Sequence, residues 1–189
     1  MPSTDRRIVL AVTGASGMPY AMATARALAA APGVETHLIA SEAAEKVLAI
    51  ETGMTVDDLA QGCILHDCHD ITAPPASGSW KHDGMIICPC TMKTLASIAN
   101  GYGEGLLHRA ADATLKEGRK LVLVPRETPL GVIHLENMLR AAKAGAVILP
   151  ACPGFYHEPG GVDALAGFIA GKTLDQLDIP HDLFRRWGD

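Results

Sequence analysis

The sequence has few aromatic residues and no excess of positive charge. Only 4% of its 189 residues are aromatic and 48% are hydrophobic, so a core would consist mainly of Ala, Val, Ile and Leu. It has 16 Lys and Arg against 21 Asp and Glu, which gives a formal net charge of −5, and its cations are scattered. This composition argues against nucleic acid as a partner. No apolar run is long enough to cross a membrane, which argues against a membrane protein.

Cysteine is also sparse, and its five copies form no C-x-x-C pair. The number is odd, and Cys88, Cys90 and Cys152 lie beside proline, which argues against disulfides and favours a reducing, cytoplasmic setting. The segment CILHDCHD, residues 63–70, holds two cysteines and two histidines. It has no second half at zinc-ligand spacing, so a polar surface loop is favoured over a metal site.

Five short apolar runs are nearly continuous: IVLAV, THLIA, MIICP, LVLVP and AVILP. Continuous runs are typical of strands buried on both faces of a parallel sheet, and amphipathic or Ala-rich segments separate them. The alternation predicts an α/β fold, a three-layer α/β/α sandwich with a parallel flavodoxin/Rossmann-like sheet. The length favours a single domain over residues 1–189.

The first run ends in the turn Gly14-Ala15-Ser16-Gly17, which an Ala-rich helical segment follows. A strand, a glycine turn and a helix in this order are typical of a phosphate site at the helix N-terminus. The G-x-x-G spacing differs from the dinucleotide fingerprint, and Ser41 stands where a ribose-binding acid is expected. These differences argue against a nicotinamide nucleotide, and a tight turn without a ligand is the alternative.

Polar residues follow each of the other runs. In such sheets ligands bind outside the carboxyl ends of the strands, so we expect these residues to share one edge. Hydroxyls, glycines and an arginine there suit a phosphorylated cofactor. For Ser41 and Thr91 the alternative is that they only cap their helices. The residues that follow the runs are Ser16, Ser41, Thr91, Thr94, Arg126, Glu127 and Tyr156.

Cations on two predicted helices could hold a second phosphate. Arg109 and Lys116 share one helix face at i and i+7, and the alternative is an exposed Asp112–Lys116 pair. In VDALAGFIAGK, Lys172 continues the apolar stripe of residues 162, 165 and 169, and it either extends to water or reaches an anion. The segment VDDLAQG lacks the third Asp of a magnesium-diphosphate motif, so side chains rather than a metal would neutralise a phosphate.

Several motifs together resemble the UbiX-type flavin prenyltransferases, a family long described as aromatic acid decarboxylases. They are TGASGMPYA, APPASGS, CPCTMKTLASIA, RAADATLKE, VPRETPLGVIHLENM, GAVILPACPGFYHEP and LFRRWG. The resemblance implies a flavodoxin-like fold, bound FMN and no metal. It also implies that a dimethylallyl group passes from dimethylallyl monophosphate to N5 and C6 of reduced FMN. The product would serve a UbiD-type decarboxylase, and the family forms dodecamers with sites between subunits.

The resemblance also implies roles for individual residues. The catalytic set is Ser16, Glu51 and Glu127. The place of Glu127 beside Arg126 at a strand end makes it the candidate general acid for the phosphate leaving group, and the alternative is a salt bridge to a neighbouring cation. Thr91 and Lys172 stand where relatives often have Ser and sometimes Arg, and a lysine keeps the charge but loses bidentate geometry. FMN contacts fall on Gly14, Ala15, Ser16, Ser41, Thr91, Met92, Lys93, Thr94 and Arg126. Contacts with the dimethylallyl phosphate substrate fall on Arg109, Lys116, Glu127, Tyr156 and Lys172.

Two alternative functions remain open. One is a flavin-dependent decarboxylase of cysteine-type substrates on a similar fold. Against it, APPASGS lacks the Asn of that class, and His37 lies inside a strand run. The other is a non-catalytic FMN-binding accessory subunit of an aromatic acid decarboxylase, which would not need Lys116, Glu127 and Lys172.

Overall fold

The computed structural model describes residues 6–188, which form a six-stranded sheet with helices on both faces. The strands are β1 (Arg6–Val12), β2 (Val34–Ala40), β3 (Ile64–His66), β4 (Gly84–Cys90), β5 (Leu121–Pro125) and β6 (Ala146–Ile148). The helices are α1 (Met18–Ala30), α2 (Glu42–Thr52), α3 (Val56–Leu59), α4 (Met92–Ala99), α5 (Gly105–Lys116), α6 (Val132–Lys143) and α7 (Val162–Gln176). A search of these residues finds no helix of the length and apolarity that a membrane span requires.

All strand pairs are parallel, and the strand order is β3-β2-β1-β4-β5-β6. The order reverses between β1 and β4, which lie side by side although two strands separate them in the chain. In doubly wound sheets the ligand crevice opens at this point, outside the carboxyl ends of the strands. The turn after β1 and the start of α4 therefore face the crevice.

The core lies in two layers, one on each face of the sheet. Ile8 and Leu10 of β1 pack with α1, α2 and α7, whereas Val9 and Ala11 pack with α4, α5 and α6. All four side chains are fully buried. Burial on both faces explains why the strands are continuous apolar runs, and it confirms the predicted three-layer α/β/α fold.

The sheet has one strand more than the apolar runs indicated. β3 lies at the sheet edge inside CILHDCHD, so the interpretation of that whole segment as a loop was wrong. Ile64 and Leu65 are each more than 40% exposed, because only one side of β3 pairs and neither face is fully covered. A strand of three half-exposed residues does not produce the continuous apolar run that marks a central strand.

Histidines line the junction between β2 and β3. His37 Nδ1 lies 2.8 Å from His66 Nε2, and His37 Nε2 lies 3.1 Å from the carboxylate of Glu35. The Trp80 ring packs edge-on against the His37 ring and stacks on the His82 ring. Burial lowers the pKa of His66 and that of His82 below the ordinary value, because it disfavours the imidazolium form.

This lowering predicts that the protein loses stability in mildly acidic solution. The unfolded chain binds more protons than the folded chain once the pH falls below about 6.5, the ordinary histidine pKa. The stabilisation that the two neutral histidines contribute is complete above that pH. It is lost as the pH falls through their lower pKa values in the folded chain. Urea unfolding between pH 7.5 and 5 measures it, and His82→Gln should show a shallower decline. Identical pH profiles for the two proteins would contradict the assignment.

Candidate active site

Thr13 ties together the loops that follow β1 and β4. Its buried hydroxyl donates to the Pro89 carbonyl at 2.7 Å and accepts from the Thr91 backbone N–H at 2.8 Å. The turn after β1 is therefore fixed against the start of α4. Sequence reasoning missed Thr13, although its place directly after a buried strand was the available signal.

The glycines of the turn have steric reasons to be glycine. A Cβ on Gly14 would lie 2.5 Å from the Cβ of Ala43 in α2, so a side chain would separate the turn from that helix. Gly17 has a φ of 118°, in the region that favours glycine. Between them Ala15 is buried and Ser16 is exposed, so Ser16 is the residue that this turn presents at the edge.

The N-terminus of α1 already holds an anion, the carboxylate of Glu51. This carboxylate accepts hydrogen bonds from the backbone N–H groups of Gly17 at 3.0 Å and Met18 at 2.8 Å, and from the Ser16 hydroxyl. The first N–H groups of a helix lack intrahelical acceptors and favour negative charge. Because Glu51 satisfies them, the glycine turn presents a carboxylate at the edge, and a phosphate has to bind elsewhere.

Glu51 is held in its ionised form. Burial raises the pKa of Glu51, but hydrogen bonds from Ser16, Met18 and Gly17 and the charge of Arg126 outweigh burial, so the pKa lies below its ordinary value. Arg126 Nε also donates to the Ser16 carbonyl at 2.8 Å. Ser16, Glu51 and Arg126 thus form one hydrogen-bonded group, here called the Ser16–Glu51–Arg126 cluster. Its carboxylate can accept a proton through the Ser16 hydroxyl.

A cavity of about 290 Å³ opens beside the N-termini of α2, α4 and α5. Thr13, Ser41 and Thr94 line it, together with Gly105 and other residues of the first turn of α5. Helix N-termini that converge on one cavity provide the backbone donors that suit a phosphate. This cavity is therefore the best place along the edge for the phosphate of a cofactor.

Ser41 and Thr91 cap the helices that border this cavity. Ser41 Oγ accepts from the Ala44 N–H and Thr91 Oγ1 from the Thr94 N–H, both at 3.1 Å, so both residues cap their helices. A cap of this kind leaves the first two N–H groups of each helix without intrahelical acceptors. Met92 is buried and Lys93 exposed, so the turn from Thr91 to Thr94 offers a phosphate mainly its backbone.

Glu127 and Tyr156 follow β5 and β6 and lie at the same edge. The exposed carboxylate of Glu127 accepts from the Thr128 backbone N–H at 3.0 Å. Tyr156 is 44% exposed and packs edge-on against Trp187, with ring centroids 5.3 Å apart. Both side chains are accessible to a molecule bound at the edge.

Lys116 does not join this edge within one chain. α5 is about 18 Å long and runs from Cys68, whose carbonyl binds the Leu106 N–H, to Lys116 near Gly78. Gly78 precedes β4, so Lys116 lies toward the amino ends of the strands. Lys116 pairs with Glu117 at 2.6 Å and Arg109 with Asp112 at 2.7 Å. The Asp112–Lys116 pair considered from the sequence is not formed.

Lys172 also lies away from the edge. It stands ten residues into α7, about 15 Å from the start of that helix, and its Nζ is 3.5 Å from Asp175. The predicted apolar stripe is only partly buried, since Ile169 is covered whereas Val162 is 65% exposed. Lys172 is half-exposed and makes an ordinary i, i+3 ion pair in this chain.

Sequence reasoning also missed His157. Its ring stacks on Phe168 with centroids 5.0 Å apart, next to Tyr156, and both of its ring nitrogens are buried without a partner in residues 6–188. Buried polar atoms normally have a hydrogen-bond partner, so this imidazole can bind a ligand or water near Tyr156. It lies inside the motif GAVILPACPGFYHEP, but nothing in its local spacing distinguishes it from the neighbouring residues.

Ser16→Ala is expected to keep the fold and to impair the chemistry of the cluster. The change removes one hydrogen bond to a charged acceptor, which is worth about 0.5–3 kcal/mol. Circular dichroism checks the fold and kcat/KM the activity, with Ser16→Thr as the control that retains a hydroxyl. Unfolding of the alanine variant would show instead that Ser16 is a structural turn residue.

The fold and this edge define a class, the flavoproteins of Rossmann-like topology, and a family model with the description "Flavoprotein" matches residues 2–167. The chain is 51% identical to the flavin prenyltransferase UbiX of Methanothermobacter thermautotrophicus, over 96% of this chain and 95% of that one. It is 49% identical to UbiX of Halalkalibacterium halodurans, over 94% and 91%. The chain belongs to the UbiX flavin prenyltransferase family.

Two solved structures are similar over nearly the whole chain. One is a dodecameric FMN-dependent UbiX-like decarboxylase from Escherichia coli O157:H7, with a TM-score of 0.93 and 45% identity, covering 97% of this chain and 100% of that one. The other is AnUbiX (PadA1) in complex with FMN and dimethylallyl pyrophosphate, with a TM-score of 0.90 and 44% identity, covering 97% and 98%.

Proposed function

We propose that this chain is a flavin prenyltransferase that joins a dimethylallyl group to N5 and C6 of reduced FMN and releases phosphate. The observation that carries the proposal is the Ser16–Glu51–Arg126 cluster at the sheet edge that also holds a phosphate-suited cavity. We further propose that residues 1–189 act as a single domain in the cytoplasm and that a UbiD-type decarboxylase receives the product.

FMN fits the donors along this edge. The backbone of the Thr91–Thr94 turn and the Ser41 hydroxyl would hold its phosphate, while Gly14, Ala15 and Arg126 would lie along the rest of the molecule. Reduced FMN supplies the nucleophilic atoms of the reaction. Ser16 and Glu51 would then accept the proton that leaves the flavin, since Glu51 is ionised and accepts a hydrogen bond from Ser16.

The second substrate in this proposal is dimethylallyl monophosphate. Glu127 would protonate the departing phosphate, while Arg109, Lys116, Lys172 and the Tyr156 hydroxyl would neutralise its charge without a metal ion. The VDDL segment supports this view, because Asp58 is engaged in a capping box with Thr55 at the start of α3. The AnUbiX complex contains dimethylallyl pyrophosphate. Dimethylallyl monophosphate and dimethylallyl pyrophosphate should therefore both be tested as the source of the dimethylallyl group.

The positions of the cations support a site shared between subunits. Lys116 lies toward the amino ends of the strands, whereas Glu127 lies at their carboxyl ends. Lys116 would therefore contact the dimethylallyl monophosphate bound to a neighbouring copy. α6 presents an uncovered apolar face, with Val132, Ile133, Leu135 and Leu139 each more than 50% exposed. We therefore propose a homo-oligomer, and the dodecameric relative makes twelve subunits the first number to test.

Mixed oligomers would show whether the site is shared. Lys116→Ala and Glu127→Gln chains should each be nearly inactive alone, whereas oligomers that contain both should recover part of the activity. Recovery is expected because some interfaces then combine an intact Lys116 with an intact Glu127. The control mixes two Glu127→Gln preparations by the same refolding procedure. Absence of recovery in verified mixed oligomers would assign both residues to one chain.

Mass analysis of the flavin tests the function most directly. Purified protein is incubated with reduced FMN and dimethylallyl monophosphate, and the flavin should gain one dimethylallyl unit. A non-catalytic accessory subunit would bind FMN and leave its mass unchanged, and a cysteine-type decarboxylase would release carbon dioxide from its own substrate instead. A parallel titration should show tight FMN binding and no saturable NAD binding.

A further inference from the structure

A cluster of potential metal ligands lies in the turn after β3, at one wall of the cavity proposed for the FMN phosphate. Donor atoms of Asp67, Cys68 and His69 all lie within 4.8 Å of one another. A carboxylate, a thiol and an imidazole are the three side-chain types that bind zinc in proteins, at about 2.0–2.3 Å from the ion. We propose that Asp67, Cys68 and His69 bind one Zn²⁺ ion and that Glu42 positions the ring of His69.

Glu42 supplies the outer contact that zinc-binding histidines usually have. Its Oε1 lies 3.0 Å from His69 Nε2. When Nε2 carries the proton and donates a hydrogen bond to Glu42, the lone pair of Nδ1 is available to a metal ion. Glu42 belongs to α2, 27 residues before His69, which explains why the spacing within CILHDCHD alone argued against zinc.

Two hydrogen bonds hold the backbone of the turn. Asp67 Oδ1 accepts from the His69 N–H at 2.9 Å, which leaves the other carboxylate oxygen of Asp67 for a metal. The Cys68 carbonyl accepts from the Leu106 N–H at 2.8 Å and so attaches the turn to α5. The three donors can therefore approach one ion by side-chain rotation, and the Cys68 thiol releases its proton to solvent on binding.

Three protein ligands leave the fourth position of a tetrahedral zinc ion to water. Glu42 and Glu51 lie about 14 Å apart along α2, so the ion would lie far from the Ser16–Glu51–Arg126 cluster. The ion would not take part in prenyl transfer. Cys68 and His69 also line the 290 Å³ cavity, so the ion would fix one wall of that cavity.

Metal titration of the full chain tests the proposal. Reduced, chelator-treated protein is titrated with Co²⁺ by absorption spectroscopy and with Zn²⁺ by calorimetry. We expect one ion per chain and a thiolate-to-Co²⁺ charge-transfer band that Zn²⁺ removes. Cys68→Ser should abolish the band, and His69→Asn should weaken Zn²⁺ binding at least tenfold. Glu42→Gln should weaken it by about 10–100-fold, the usual range for an outer-sphere partner.

Two other cysteines provide matched controls. Cys152→Ser removes an exposed thiol and Cys63→Ser a half-buried one from the same segment, and both variants should keep the band and the affinity. No stoichiometric binding in the unmodified chain would overturn the proposal, as would equal loss in Cys152→Ser. If Cys68→Ser does not fold, His69→Asn, whose ring is mostly exposed, decides the result.

Discussion

Glu127→Gln is expected to slow prenyl transfer by about 10²–10⁴-fold and to leave FMN bound, because general acid catalysis typically contributes that much. Monophosphate is a poor leaving group, and the glutamine amide cannot protonate it. The exposed carboxylate of Glu127 has no described side-chain contact on which folding would depend, since its contact is with the adjacent Thr128 N–H. The change should therefore affect rate and not stability.

Single-turnover rates with reduced FMN and dimethylallyl monophosphate measure this effect, and an FMN titration shows whether the flavin still binds. Asp57→Asn is the matched control, because Asp57 is an exposed acid of the VDDL segment. It should be fully active, and wild-type turnover should persist in excess chelator. A fully active Gln variant, or loss of turnover in chelator, would exclude the proposed metal-independent acid catalysis.

Glu51→Gln is expected to have the second large effect, a loss of turnover on the order of 10²-fold or more. The amide has no negative charge to accept a proton through Ser16. It also leaves the N-terminus of α1 without its anion, which should cost about 0.3–1 kcal/mol of folding free energy. The FMN phosphate should still bind, because its proposed donors belong to α2 and α4.

The pH dependence of stability separates the two consequences for Glu51. Its pKa is lower in the folded chain than in the unfolded chain. Its contribution is therefore complete above the ordinary glutamate pKa of about 4.3 and is lost as the pH falls through the lower folded value. Thermal unfolding between pH 7 and 3.5 should show a smaller acid loss for Glu51→Gln than for wild type. An active Gln variant with an unchanged acid profile would contradict both assignments.

The sequence predicted the features that depend on local pattern. Continuous apolar runs identified all the central strands, and the order of polar residues after them placed Ser16, Ser41 and Arg126 at one edge, as the structure shows. The half-exposed edge strand β3 produced no such run. Capping by Ser41 and Thr91 was foreseen as an alternative, because their position before a helix is itself a local signal.

Contacts between distant segments could not be predicted in this way. Glu51 binds Gly17 across 34 residues, and only the packing of α2 beside the turn makes that contact possible. The resemblance to a family marked Glu51, but its place at the N-terminus of α1 required the structure. The partner of Lys116 could not be predicted either. The i, i+4 spacing suggested Asp112, whereas the flexible lysine contacts the adjacent Glu117.

The two tryptophans lie in very different surroundings, and their emission should report on different events. Trp187 is 82% exposed beside Tyr156, so its fluorescence should change when a donor molecule covers that tyrosine. Trp80 packs against His37 and His82, and protonated imidazoles quench indole emission. Each single-tryptophan variant would therefore carry its own optical probe: Trp80→Phe for occupancy of the sheet edge, and Trp187→Phe for the protonation of His82.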